Sequence, residues 1–256
     1  MRRAEKPVPD ISSPSGWVLS IAAAFLVGMA KTGFGGLGIF SVLLLAEVFP
    51  ARESTGVLLP MMIFGDVLGV AFYRRHASWS DLLRLIPPAA AGIVLGWWIM
   101  PRIPDAAFRD FLGWLIIVLM ALTLLQRRFP GMAKDAAHYP AVGVLAGVAT
   151  GVTTMVANAA GAITAFYFLA RRMDKMTFVG TTAWFYLVIN LIKVPFSTHL
   201  GLINASSLTF DAMMLPAIVL GALSGRWLLH LVPQRLFEAV TIALAILAAV
   251  RLVGVS

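Results

Sequence analysis

Lys31-Thr32-Gly33-Phe34-Gly35-Gly36 puts one cation, one hydroxyl and three glycines into six residues of a largely apolar stretch that runs from Trp17 to Phe49. Glycine is a poor helix former, so the stretch reads as two half-helices with opened backbone between them. A charge at membrane depth costs ~2.5–3.5 kcal/mol on insertion scales, and such residues usually face the bundle interior. The Lys31 ammonium, the Thr32 hydroxyl and the free N–H groups of Gly33, Gly35 and Gly36 make a donor-rich, electropositive pocket. The positive end of a half-helix adds to it. That chemistry suits an oxyanion. The plainer alternative is that Lys31 snorkels to a surface and the glycines only allow close packing.

A second interruption, Thr150 to Gly161, offers Thr153, Thr154 and Asn158, neutral groups suited to several oxygens of one small solute. Interhelical hydrogen bonding is their alternative role. Asp66 and Asn190 occupy matched positions, ten residues after Gly56 and Gly180. Asp66 reads either as a counter-ion to Lys31 or as a proton-coupling carboxylate. Lys193, three residues after Asn190, reads as facing the same cavity or as reaching the interface. Asp66, Asn190 and Lys193 are therefore coupling or supporting groups, with Arg226 more a topology residue than a ligand.

Other chemistry is excluded. No cysteine is present, so disulfides and iron–sulfur clusters are ruled out. His76, His138, His199 and His230 lack metal-ligand spacing, and no P-loop, HExxH or paired catalytic carboxylates occur. The expectation is no enzyme, no cofactor and no metal, with energy from a solute or proton gradient or from a partner.

The elements that must position these residues follow from composition. The chain has 256 residues, 60% apolar and 12% charged, with mean hydropathy +0.89. Those values describe an all-α polytopic membrane bundle with room for about eight hydrophobic segments. The net charge of +8 sits mostly in pairs at segment ends (Arg2-Arg3, Arg74-Arg75, Arg127-Arg128, Arg171-Arg172), which points to lipid and topology rather than nucleic acid. Residues 1–16 read as a polar tail. Arg2, Arg3 and Lys6 ahead of an apolar run, with Gly28-Met29-Ala30 as a cleavage site, also fit a signal peptide, but Pro7, Pro9 and Pro14 intervene.

Segment 17–49 would be roughly 50 Å long as one helix, far more than a ~30 Å hydrocarbon core. It must kink or re-enter. Spans are expected over 54–73, 82–100 and 106–125, and 129–138 reads as a junction loop. Segment 139–170 is again too long and interrupted, and spans follow over 178–196, 210–231 and 236–250. The halves, 17–128 and 139–256, share landmarks. Pro87, Gly92 and Gly96 are spaced like Pro216, Gly221 and Gly225, and Ile103-Pro104-x3-Phe108 like Val232-Pro233-x3-Phe237. Two repeats, the first segment of each broken or re-entrant, can rock about a site between them. With re-entrant hairpins, eleven Lys and Arg gather on one side against seven on the other, which favours inverted repeats with an outside N-terminus.

Lys31-Thr32-Gly33-Phe34-Gly35-Gly36, the glycine-interrupted segment near 147–161 and the duplicated layout resemble the sulfite exporter TauE/SafE family of membrane transporters. Family members typically repeat the glycine-rich signature in both halves, whereas here Thr153, Thr154 and Asn158 stand where glycines are usual. The resemblance implies outward transport of small sulfur-containing anions, sulfite or organosulfonates such as sulfoacetate, across the bacterial inner membrane. The expected partners are a small anion and the lipid bilayer, with no nucleic acid; a homo-oligomer is compatible. The rivals are a proton-coupled small-carboxylate transporter and a non-transport membrane-embedded enzyme or assembly factor.

Overall fold

The computed structural model describes residues 14–103, 140–158, 160–171, 173–237, 239–240 and 243, and all regular structure among them is helical. The helices are α1 (Pro14–Thr32), α2 (Gly38–Val48), α3 (Ala51–Tyr73), α4 (Trp79–Ile99), α5 (Pro140–Ala157), α6 (Gly161–Ala170), α7 (Lys175–His199) and α8 (Ala205–Leu231). Six of these, all but α2 and α6, are long and apolar enough to cross a membrane. The spans expected over 106–125 and 236–250 and the junction loop 129–138 lie wholly or largely outside the described residues.

Local chemistry sets the helix ends. Pro14 opens α1, because a first-turn proline gives up no hydrogen bond. The helix therefore begins inside the stretch expected to be a polar tail. Asn204 and Ser207 form a reciprocal capping box, which starts α8 at Ala205, five residues ahead of the expected 210. Asp174 caps α7 by accepting from the backbone N–H groups of Met176 and Thr177 at 3.0 and 3.1 Å.

Segment 17–49 folds back on itself as a hairpin. Helix α1 stops at Thr32, one 3₁₀ turn spans Gly35–Leu37, and α2 returns. The ring of Phe210 lies 6.1 Å from Trp17, near the start of α1, and 5.3 Å from Phe49, just past the end of α2. Both limbs of the hairpin thus begin and end at one level of the bundle, called here the proximal end. The second hairpin enters from the other, distal end. A Cβ on Gly143, early in α5, would stand 3.4 Å from the hydroxyl of Tyr167, late in α6. The second break is narrower than the expected 150–161 and lies at the end of that stretch. Helix α5 continues through Thr153 and Thr154 to Ala157, and α6 begins at Gly161.

Two crossings hold the hairpins in place. Along α1 and α8, Phe25 faces Gly221, Gly28 faces Ile218 and Ala222, and Gly33 faces Gly225, so the helices run parallel. Along α5 and α4, Gly147 faces Leu85 and Pro88, and Gly151 faces Ala89 and Ile93, again parallel. Helices α3 and α7 pair antiparallel: Gly180 meets Tyr73 and His76 at the distal end, while Gly56 meets Leu202 at the proximal end. Lipid tails are as apolar as the helices, so association rests on close backbone approach, which small residues permit.

Two stability outcomes follow. Gly221→Leu drives a side chain into the carbonyl of Phe25 and costs about 1–3 kcal/mol, whereas Gly35→Ala, with nothing within 4 Å of its Cβ, leaves thermal unfolding in detergent unchanged. Asp174→Ala costs about 1 kcal/mol. The hydrogen bond from the Thr177 hydroxyl, with the backbone N–H bonds, holds the Asp174 carboxyl below the usual carboxylate range against a smaller upward effect of burial. The cap's contribution is therefore complete above the unfolded carboxylate pKa. The gap between wild type and variant closes as pH falls through the folded value.

Candidate functional site

The first break leaves Lys31 on the last turn of α1, its side chain lying along α3. Gly65 makes room for the stem, since a Cβ there would come 3.0 Å from Lys31 Cγ, and Gly69 accommodates the Lys31 carbonyl. The ammonium reaches Asp66 Oδ1 at 2.9 Å, with side-chain exposures of 8% and 0%. Its other face rests on the Tyr186 ring, 4.3 Å from the centroid. Lys31 thus points inward and does not snorkel.

From Asp66 the polar contacts continue into the other half of the chain. Asn190 donates its amide to Asp66 Oδ2 at 2.7 Å, and its carbonyl oxygen accepts from Lys193 Nζ at 3.3 Å. Lys193 is only 2% exposed. Its ammonium also donates to Thr154 Oγ1 at 3.3 Å and to Asn158 Oδ1. Asn158 in turn donates to the Thr55 carbonyl at 2.9 Å. One file of buried groups therefore runs Tyr186, Lys31, Asp66, Asn190, Lys193, Asn158, from the first break to the second.

The two breaks also meet directly, since a Cβ on Gly161 would lie 3.7 Å from the Gly35 carbonyl. Asn158 takes φ +51, the left-handed region that asparagine tolerates better than most residues. A series of ring contacts starts at the first break: Phe34 to Phe237 at 5.6 Å, Phe237 to Phe178 at 5.5 Å, then Phe168 and Phe185 at 6.2 Å steps.

Not every expected ligand faces this file. The Thr32 hydroxyl sits between the carbonyls of Ala222 (2.7 Å) and Gly28 (3.0 Å), and the Tyr73 hydroxyl donates to the Thr32 carbonyl at 2.8 Å. Thr32 therefore ties α1 to α8 and α3. Gly33 presses on Gly225, whereas Gly35 and Gly36 lie in the 3₁₀ turn and are only partly buried. The Thr153 hydroxyl donates to the Thr150 carbonyl one turn back at 3.1 Å. Thr153 and Thr154 both lie within helix α5, and Asn158 alone of the three belongs to the opened backbone. Arg226 stacks on Phe72 near the distal end, 4.6 Å from the ring centroid.

Tyr186 and Thr164 escaped the sequence reading. The two hydroxyls bond each other across α7 and α6. Tyr186 was findable, because 186, 190 and 193 follow the i, i+4, i+7 spacing of one helix face.

The arrangement has more basic than acidic side chains. The file holds two lysines and one carboxylate. Lys31 has the carboxylate, while all three donors of Lys193 end on neutral oxygens. A buried ammonium paired only with neutral groups lies in a field that favours an added anion.

A family model described as Sulfite exporter TauE/SafE matches residues 20–252. No curated protein and no solved structure matches the chain.

Asp66→Asn leaves the Lys31 ammonium buried without its counter-charge and lowers stability by about 3–5 kcal/mol. The double variant Lys31→Met with Asp66→Leu recovers most of that loss, because both charges leave together. Thermal unfolding of the purified variants reads both. A double variant that loses as much as the two single variants added together would show that the pair is not coupled.

Proposed function

Because the chain belongs to the sulfite exporter TauE/SafE family, we propose that it carries small sulfur-containing anions, sulfite or organosulfonates such as sulfoacetate, outward across the bacterial inner membrane by alternating access. The single observation behind this reading is the excess of positive charge in the buried file, two ammoniums to one carboxylate, where the two helix breaks meet. Lys193 and Asn158 bind the anion from the second half of the chain, with Thr154 beside them. Lys31 and the Gly35–Gly36 backbone bind it from the first. Asp66 is the internal anion that holds Lys31 until substrate arrives, and Asn190 carries the exchange between the two lysines.

Alternating access is supported by the pattern of contacts. A shift of 123 positions takes Phe25, Gly28 and Gly38 to Val148, Gly151 and Gly161. A shift of 129 takes Ala89, Gly92 and Ile93 to Ile218, Gly221 and Ala222. Under both shifts the Gly28 contact with Ile218 and Ala222 becomes the Gly151 contact with Ala89 and Ile93. Helix α1 enters from the proximal end and α5 from the distal end. Two repeats of opposite topology account for both features and allow the halves to exchange conformations about the site.

Orientation follows from charge. Among the described residues the distal end carries Arg74, Arg75, Arg84, Arg171, Lys175, Arg226 and Arg235, and the proximal end Arg52 and Arg102. The positive-inside rule makes the distal end cytoplasmic.

Counterflow in proteoliposomes with sulfite, sulfoacetate and lactate tests the reading. Wild type exchanges sulfite or sulfoacetate in preference to lactate. Lys31→Met and Lys193→Met each slow that exchange by roughly tenfold or more, the loss of one hydrogen bond to a charged group. Preference for lactate would make the protein a carboxylate carrier, and no exchange of any anion would point to a role other than transport.

A further inference from the structure

The file leaves one buried acid unused. Asp211, on the second turn of α8, is 4% exposed, and among the described residues both of its carboxyl oxygens are shielded from solvent and have no hydrogen-bond partner. Phe210 and Met214, close to it on its own helix, belong to an apolar cluster with Phe49, Leu45, Val57 and Leu58. The hydroxyl one turn away, on Ser207, is spent on the helix cap, accepting from the Asn204 N–H and donating to the Asn204 carbonyl. Among the described residues the charged or titratable groups at this proximal end are Glu47 on α2, Arg52 and Glu53 on α3, Arg102 just past α4 and His199 at the end of α7; α1 contributes none over Pro14–Ser20. Glu47 is exposed, and Arg52 donates to the Ile103 carbonyl.

An ionised carboxylate without a partner is costly in such a place, whereas the neutral acid fits it. Asp66 is the opposite case, held as an anion by Lys31 and Asn190. We infer that Asp211 is a proton-binding site, loaded from the proximal side, and that it rather than Asp66 couples proton movement to anion transport. Loading forms one O–H bond on a carboxyl oxygen, and release returns the proton to water. No other bond changes.

The means of coupling is α8 itself. Asp211 lies about 16 Å along the helix from Ala222, at 1.5 Å per residue. The Ala222 carbonyl receives the Thr32 hydroxyl, one residue from Lys31. A shift of α8 that brings Asp211 to water therefore pulls on the first break. A hard metal cation suits the site poorly, because such ions need several oxygen ligands and no second oxygen bonds to Asp211 among the described residues. The coupling role rests on the transport reading above; proton binding does not.

Two measurements test the inference on purified full-length protein, with Asp211→Asn as the variant and Asp211→Glu as its conservative partner. In infrared spectra at neutral pH, wild type shows the carbonyl stretch of a neutral carboxylic acid. Asp211→Asn lacks it and Asp211→Glu restores it at a shifted frequency; no such band in wild type overturns the proton site. In proteoliposomes loaded with a pH-sensitive dye, a sulfite gradient moves protons through wild type. Asp211→Asn loses that proton signal while keeping sulfite counterflow. Anion-driven proton movement that persists in Asp211→Asn, or flux that follows sodium rather than pH when sodium replaces choline, overturns the coupling role. If wild type moves no anion at all, the transport reading fails, and the infrared band decides the proton site alone.

Discussion

The amide of Asn190 is the joint on which the interior depends. Its N–H side faces the Asp66 carboxylate and its oxygen faces the Lys193 ammonium, so one neutral group links a paired charge to one paired only with neutral oxygens. Turning the amide over would set donors against Lys193 and a carbonyl against Asp66, so its orientation follows from its neighbours. Through this contact the Lys31 pair from the first half and the Lys193–Asn158 group from the second become one electrostatic unit. Burial makes every member sensitive to the others, because screening is weak where water is scarce.

The surrounding architecture keeps that unit in register. Each hairpin is held by a long helix lying parallel to its first limb at glycine-lined contacts, α8 against α1 and α4 against α5. The contacts are backbone on backbone and leave little freedom to slide. The hairpin tips are different. Gly35 has open space about it, and Asn158 adopts a left-handed conformation beside the donors it serves. Rigid crossings with open tips fit the proposed alternating access, in which the halves move as bodies while local backbone adapts to a solute.

Much of this was legible in the chain. The all-helical membrane class followed from hydropathy, and the first break from the glycines around Lys31. That Asp66, Asn190 and Lys193 face the bundle interior followed from the cost of polar groups at such depth. The second break was drawn too wide because threonine and alanine do not disclose where a helix stops. Thr153 satisfies its hydroxyl on the preceding turn, so α5 runs on to Ala157. Thr32 was read as a ligand because it neighbours Lys31, yet a helix rotates successive side chains by about 100°, which turns Thr32 toward the Ala222 carbonyl.

Sequence alone determined which residues are too polar for their surroundings, since burial in lipid penalises charge wherever it falls along the chain. Tertiary structure decided which of them share an environment. Asp66 and Asn190 lie 124 residues apart and touch, while Asp211 is buried with no hydrogen-bond partner among the described residues. Pairing of this kind depends on how helices cross and turn their faces, and that is set by the sum of many small packing contacts that no local stretch of sequence contains.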